Sequence, residues 1–207
     1  KKNFNIKAMQ VRNLIVGALL FSCTGHVNAQ SLTLRVDNID QIVDSMTLEE
    51  KVNLLVGRND YLFGGYEKLD KAPRVMDSSI SGFTQVIPRL GIPATGLADG
   101  PAGAVVVTRP DSKKNYYATG FPIGSLLACS WNTGLVETIG QAIGNEILEY
   151  GVDVVLAPGM NIHRSPLCGR NYEYFSEDPV LTGKIAAAYI RGVQSNGVGA
   201  CPKHFAV

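Results

Sequence analysis

Two stretches of this chain follow one grammar: an amphipathic segment, a glycine, a short apolar run and then a polar loop. The first is NTGLVETIGQAIGNEILEYG, residues 132–151, leading into VDVVLAP. The second is PVLTGKIAAAYIRGVQSNG, residues 179–197, leading into VGACPKHF. Strands apolar on both faces that alternate with helices specify a parallel sheet covered by helices. A doubly wound sheet and a closed (β/α) barrel both satisfy this pattern. In either, functional groups gather beyond the C-terminal ends of the strands. Asp99, then His163 to Glu173, then Lys203 and His204 all fall there.

Further elements are legible along the chain. Thr47 and Glu50 have the spacing of a capping box, with Leu48, Val52 and Leu55 on one face and Gly57 closing the helix. Residues 58–90 lack periodicity and read as a long loop. LGIPATGLADGPAG reads as an extended segment entering a glycine-rich turn, and GSLLACSW as another strand. Asn132 is placed to cap the 132–151 helix, whose apolar face is Leu135, Ile139, Ala142 and Ile143. Asp178 followed by Pro179 opens the next helix.

The first thirty residues differ in kind. Lys1, Lys2, Lys7 and Arg12 precede the apolar run LIVGALLFSC, and HVNA follows. This is the pattern of a secretory signal peptide cleaved after Ala29, and it predicts a secreted or periplasmic protein. Met9 reads as the start and residues 1–8 as upstream extension. The apolar run is too short to span a bilayer. The runner-up is a lipoprotein signal ending at Cys23. Cys129, Cys168 and Cys201 then remain, too few and too widely spaced for a disulfide framework or a C-x-x-C metal site. They are expected to be small buried residues. A net charge of +1 and the lack of any basic run exclude the electrostatic footprint of a nucleic-acid binder.

Three clusters carry chemistry. In LADGPAG, Asp99 precedes a tight turn and presents a carboxylate able to accept from two neighbouring hydroxyls, unless it merely closes an Asx-turn. NIHRSPLCGRNYEYFSEDP packs His163, Arg164, Arg170, Glu173, Glu177 and Asp178 into sixteen residues. Arg164, Glu173 and Asp178 are expected mainly to fix the loop. Third, Lys203 and His204 adjoin at a strand end. Successive strand side chains point to opposite faces, so both can line one pocket only if the backbone is locally distorted. Lys203 and Arg170 are expected to lie near Asp99 and keep it ionised. No dinucleotide fingerprint, Walker loop or nucleophile elbow is present. The histidines lack metal spacing, and no cofactor or metal is implied.

LADGPAG, APGMNIHRSPLCGRNYEYFSEDP and GVQSNGVGACPKHF, in this order, resemble the N-terminal domain of glycoside hydrolase family 3, and bacterial β-glucosidases above all. The likeness runs from about residue 40 to the end. It implies an α/β fold in which residues 30–207 form the N-terminal part of a (β/α)8 TIM-like barrel. A complete barrel takes about 250 residues, so the chain is expected to be truncated. The resemblance implies a retaining exo-β-glycosidase using two carboxylates. The nucleophile aspartate and the acid/base glutamate are expected beyond Val207. Asp99, Arg170, Lys203 and His204 are implied to bind the substrate's hydroxyls. Where many relatives carry an arginine two residues after the turn's last glycine, this chain has Val105, with Arg109 four residues on. The expected substrate is a β-glucoside, with a xyloside or another pyranoside as the alternative. KHFAV departs from the K-H-F-P-G-H of relatives that cleave N-acetylglucosaminides. A carbohydrate-binding or inactive homologue remains the alternative class. A sugar-binding lipoprotein is a third.

Overall fold

The computed structural model describes residues 32–57, 78–108 and 115–205. The segment expected to be a signal peptide, most of the 58–90 stretch expected to be a loop, and Arg109 lie outside these residues.

The described residues begin with two short helices, α1 (Ile39–Ser45) and α2 (Leu48–Val56). The capping box forms as expected. Thr47 Oγ1 accepts from the Glu50 amide at 3.2 Å, and the Glu50 carboxylate accepts from the Thr47 amide at 2.8 Å. The expected apolar face does not pack. Leu48, Val52 and Leu55 are exposed, and Leu54 instead joins a small cluster around Ile42, Met46, Ile87 and Leu90. Periodicity identified the helix but not which stripe has something to pack against.

The strands among the described residues are β1 (Ser78–Ser79), β2 (Gly82–Phe83), β3 (Gly96–Asp99), β4 (Val107–Thr108), β5 (Val154–Leu156) and β6 (Gly199–Ala200). β1 and β4 form an antiparallel pair. The other four make one sheet in the order β2–β3–β5–β6. β2 runs antiparallel to β3, while β3, β5 and β6 are parallel, with Leu97 opposite Val154 and Val155 opposite Ala200. The parallel core agrees with the sequence reading. Within the 58–90 loop, the described part holds β1, β2 and a 3₁₀ turn at Pro88–Leu90.

Between β3 and β5 lie α3 (Gly124–Cys129) and α4 (Thr133–Glu149), and between β5 and β6 lies α5 (Pro179–Gln194). GSLLACSW is thus a helix, not a strand. A short apolar run has no period that separates the two. The helix buries Leu127 and Ala128 on one side, and Gly124 sits where a Cβ would lie 2.6 Å from the Glu173 carbonyl oxygen. Asn132 caps α4 by accepting from the Leu135 amide at 3.0 Å. Asp178 caps α5 by accepting from the Val180 amide at 2.7 Å.

The buried face of α4 is rotated from the expected one. Val136, Gly140, Ile143, Gly144 and Ile147 face inward, while Leu135 and Ala142 are exposed. Glycines set this seam. A Cβ on Gly140 would lie 2.5 Å from the Tyr189 carbonyl oxygen, and one on Gly192 would lie 2.1 Å from that of Glu137. A reading that counts only large apolar residues passes over such a seam. The main core joins these helices to Ala98, Val155, Ala157, Ile185 and Val193. The three cysteines are exposed, contrary to expectation. Among the described residues no helix is long and apolar enough to cross a membrane.

Candidate sugar-binding site

Three strand ends build the site. β3 delivers Asp99, whose amide donates to Ser81 Oγ at 2.8 Å. The turn after it bends on Gly100, with φ at 145°. A Cβ there would stand 1.7 Å from the Gly103 carbonyl oxygen, so only glycine closes this turn. The fully buried Tyr189 of α5 donates its hydroxyl to the Pro101 carbonyl at 3.2 Å, tying the turn to the helix layer.

Beyond β5 and β6 the two chains stay paired. The Lys203 amide donates to the Pro158 carbonyl at 2.9 Å, and the Met160 amide donates to the Lys203 carbonyl at 2.7 Å. This continuation brings Lys203 beside Asp99, and its ammonium pairs with the carboxylate. The peptide between Lys203 and His204 is cis. The His204 amide donates to Asn161 Oδ1 at 2.7 Å.

The polar loop after β5 supplies the rest. Its 3₁₀ turn, Asn171–Glu173, sets Glu173 against Arg170, and the two form an ion pair. Arg170 Nη2 donates to His204 Nε2 at 2.9 Å. Tyr174 Oη lies 3.1 Å from His204 Nδ1. Burial first, then Arg170 and Lys203, hold the His204 pKa below its usual value, against the opposing pull of Glu173 and Asp99.

The structure therefore brings Asp99, Arg170, Lys203 and His204 into one connected cluster. One expectation needs correcting. Arg170 makes its ion pair with Glu173, and it is Lys203 that pairs with Asp99. Glu173 and Asp178 play the structural parts expected of them, and Arg164 is exposed. Asn161 and Tyr174 stand in the motif but were assigned no role. Their signal is tertiary, since Tyr174 reaches the His204 ring and Asn161 the His204 amide across 30 and 43 residues.

The arrangement has a simple electrostatic logic. Asp99 and Arg170 have side chains 47% and 57% exposed, while their partners Lys203 and Glu173 are at 17% and 13%. Each open charge is thus braced by a more buried opposite charge. Two anions, two cations and a neutral imidazole make a cluster of no net charge, rich in donors and acceptors. Such a surface suits a neutral polyhydroxylated ligand better than an anion or a cation. Asp99 and Glu173 also edge a cleft of 340 Å³, with the half-exposed Val105 on its wall. Lys203, Arg170 and His204 do not line it. Among the described residues no group of three or more His, Cys, Asp or Glu is gathered to hold a metal ion.

The described strands form an open, mixed four-stranded sheet, and two ion pairs stand beyond the C-terminal ends of its parallel strands, the arrangement of an α/β domain. Residues 71–207 match the glycosyl hydrolase family 3 N terminal domain. The chain belongs to this family, and its fold is the TIM-barrel-like α/β fold of that domain. Its relatives include the thermostable beta-glucosidase B of Acetivibrio thermocellus, 44% identical over 82% of this chain and 20% of that protein. An exo-alpha-(1->6)-L-arabinopyranosidase of Bifidobacterium longum is 37% identical over 79% of this chain and 20% of that protein. Among solved structures, beta-glucosidase 3B of Thermotoga neapolitana in complex with alpha-D-glucose is 52% identical, with a TM-score of 0.68. That match covers 80% of this chain and 22% of the other. The chain thus spans about a fifth of the length of these relatives.

Proposed function

We propose that this chain is the sugar-holding part of a retaining, exo-acting β-glycosidase that releases terminal β-D-glucosyl residues. One observation carries the reading. Two exposed, oppositely charged groups, Asp99 and Arg170, are each braced from behind and stand with Lys203 and His204 at the strand ends. A carboxylate accepting from two vicinal hydroxyls, with cationic donors around it, holds a pyranose for attack. Such contacts tighten as charge develops on the ring. The double displacement needs a nucleophile and an acid/base carboxylate, and neither role is assigned to a residue described above.

The names of the relatives support glucose as the sugar. A pentopyranose is the second reading, favoured by the arabinopyranosidase relative and by an apolar Val105 beside the cleft. The basic and apolar pattern of residues 1–29 supports export to the periplasm or the cell exterior.

The test is kinetic and uses the full-length protein. We expect turnover of aryl β-glucosides above that of β-xylosides. Asp99→Ala should lower kcat/KM by about 10²-fold or more, because it removes a contact to the reacting ring. Near-normal kcat/KM in that variant would overturn the assignment. Binding of glucose without turnover in the parent protein would favour a carbohydrate-binding homologue.

A further inference from the structure

We propose that Asn161 and Tyr174 are positioning residues of the sugar grip, holding the His204 ring with its proton on Nδ1 so that the bare Nε2 anchors Arg170. The inference rests on the sugar-holding reading above.

The argument starts from the guanidinium, which carries donors only. Arg170 Nη2 lies 2.9 Å from His204 Nε2, so Nε2 is the acceptor and bears no proton. In a neutral imidazole the proton is then on Nδ1. Two oxygens stand ready to receive it, Tyr174 Oη at 3.1 Å and Asn161 Oδ1 at 3.4 Å. The amide orientation of Asn161 is itself fixed, because its Oδ1 accepts from the His204 backbone at 2.7 Å. Tyr174 is 6% exposed, and burial pushes its phenol up from the ordinary value, so it stays protonated. Its ring meets the imidazole edge-on, with centroids 5.8 Å apart, and sets the tilt of the ring.

The consequence falls on Arg170. Glu173 takes its Nε and His204 takes its Nη2, and these two acceptors fix the plane of a largely exposed side chain. The guanidinium's remaining N–H groups are left to the ligand. A ring protonated on both nitrogens would set N–H against N–H and release Arg170. The groups that face the ring are the cations Arg170 and Lys203, the anions Glu173 and Asp99, and neutral Tyr174 and Asn161. Desolvation and the cations outweigh the anions, which favours the neutral ring.

The experiment combines nitrogen spectroscopy with kinetics on the full-length protein. With 15N-labelled histidine, and His204→Gln to assign the signal, His204 at pH 7 is expected to show a protonated Nδ1 and a bare Nε2. A proton on Nε2 at pH 7 overturns the proposal. This reading stands even if the protein turns over no glycoside, in which case the proposed function fails separately. Tyr174→Phe keeps the buried ring and removes one acceptor. It is expected to raise KM for an aryl β-glucoside about fivefold with kcat within about twofold. An unchanged KM counts against the proposal. Asn161→Asp keeps the acceptor but adds a charge beside Nδ1–H. It should move the acid limb of kcat/KM to higher pH, a change that a purely structural role would not produce. An acid limb identical to that of the parent overturns the proposal as well.

Discussion

At the scale of single residues, the candidate sugar site is built by bracing. Asp99 and Arg170 reach toward solvent, and Lys203 and Glu173 hold them from the protein side. Truncating a brace leaves a charged residue without its partner, so the effect should exceed that of an ordinary surface ion pair. Glu173→Gln is expected to weaken glucoside binding, seen as a several-fold rise in KM with kcat less affected. A KM equal to that of the parent would show that Arg170 needs no second acceptor. His204 adds a pH signature. Its pKa in the folded protein is depressed, so its contribution to stability is present above the ordinary histidine value of about 6.5. That contribution is lost as pH falls through the lowered folded value. Between pH 7 and pH 5 the melting temperature of the parent should therefore drop more than that of His204→Gln. A parallel drop in both would place the acid sensitivity elsewhere.

At the scale of elements, the caps and the glycine seam divide the labour. The Thr47, Asn132 and Asp178 caps are all written locally, as a polar residue two or three positions ahead of the amide it receives. Sequence reading found each of them. Asp178→Ala should cost about 1 kcal/mol of stability. The seam between α4 and α5 is another matter. Gly140, Gly144 and Gly192 let two backbones approach, and the buried stripe of α4 follows them rather than the largest apolar side chains. Gly192→Ala should destabilise by about 1–3 kcal/mol, since its methyl would meet the Glu137 carbonyl and Gln141 amide of a neighbouring helix. A midpoint of denaturation within error of the parent would show that the helices can part without cost. The same contrast explains GSLLACSW. Its helix is decided by Leu127 and Ala128 meeting the core and by the contact of Gly124 with the Glu173 backbone. Neither is visible in a run of eight residues. The apolar stripe of α2 failed in the opposite sense, because a periodic face says nothing about whether a partner surface exists.

At the scale of the whole chain given by this sequence, charge is nearly balanced twice over. The chain carries +1 in all, and the four ionic groups of the site cancel. A neutral glycoside approaching such a site gains little from long-range attraction. Over about 50 to 300 mM salt, kcat/KM of the full-length protein for a neutral aryl glucoside should change less than about twofold. A steep fall with salt would show that ionic strength disturbs the paired charges of the site themselves.

The sequence by itself determined the parallel α/β plan and the helix caps, and it singled out Asp99, Arg170, Lys203 and His204 as candidates at the strand ends. All of these rest on local pattern or on the residue types of a long motif. Tertiary structure alone decided who pairs with whom. Lys203 reaches Asp99 from 104 residues away, and Arg170 turns to Glu173 and His204 instead. It also exposed the cysteines and drew Asn161 and Tyr174 into the site. The physical reason is that caps and strand periods are short-range, whereas an ion pair or a ring contact depends on where the sheet register sets two distant segments side by side.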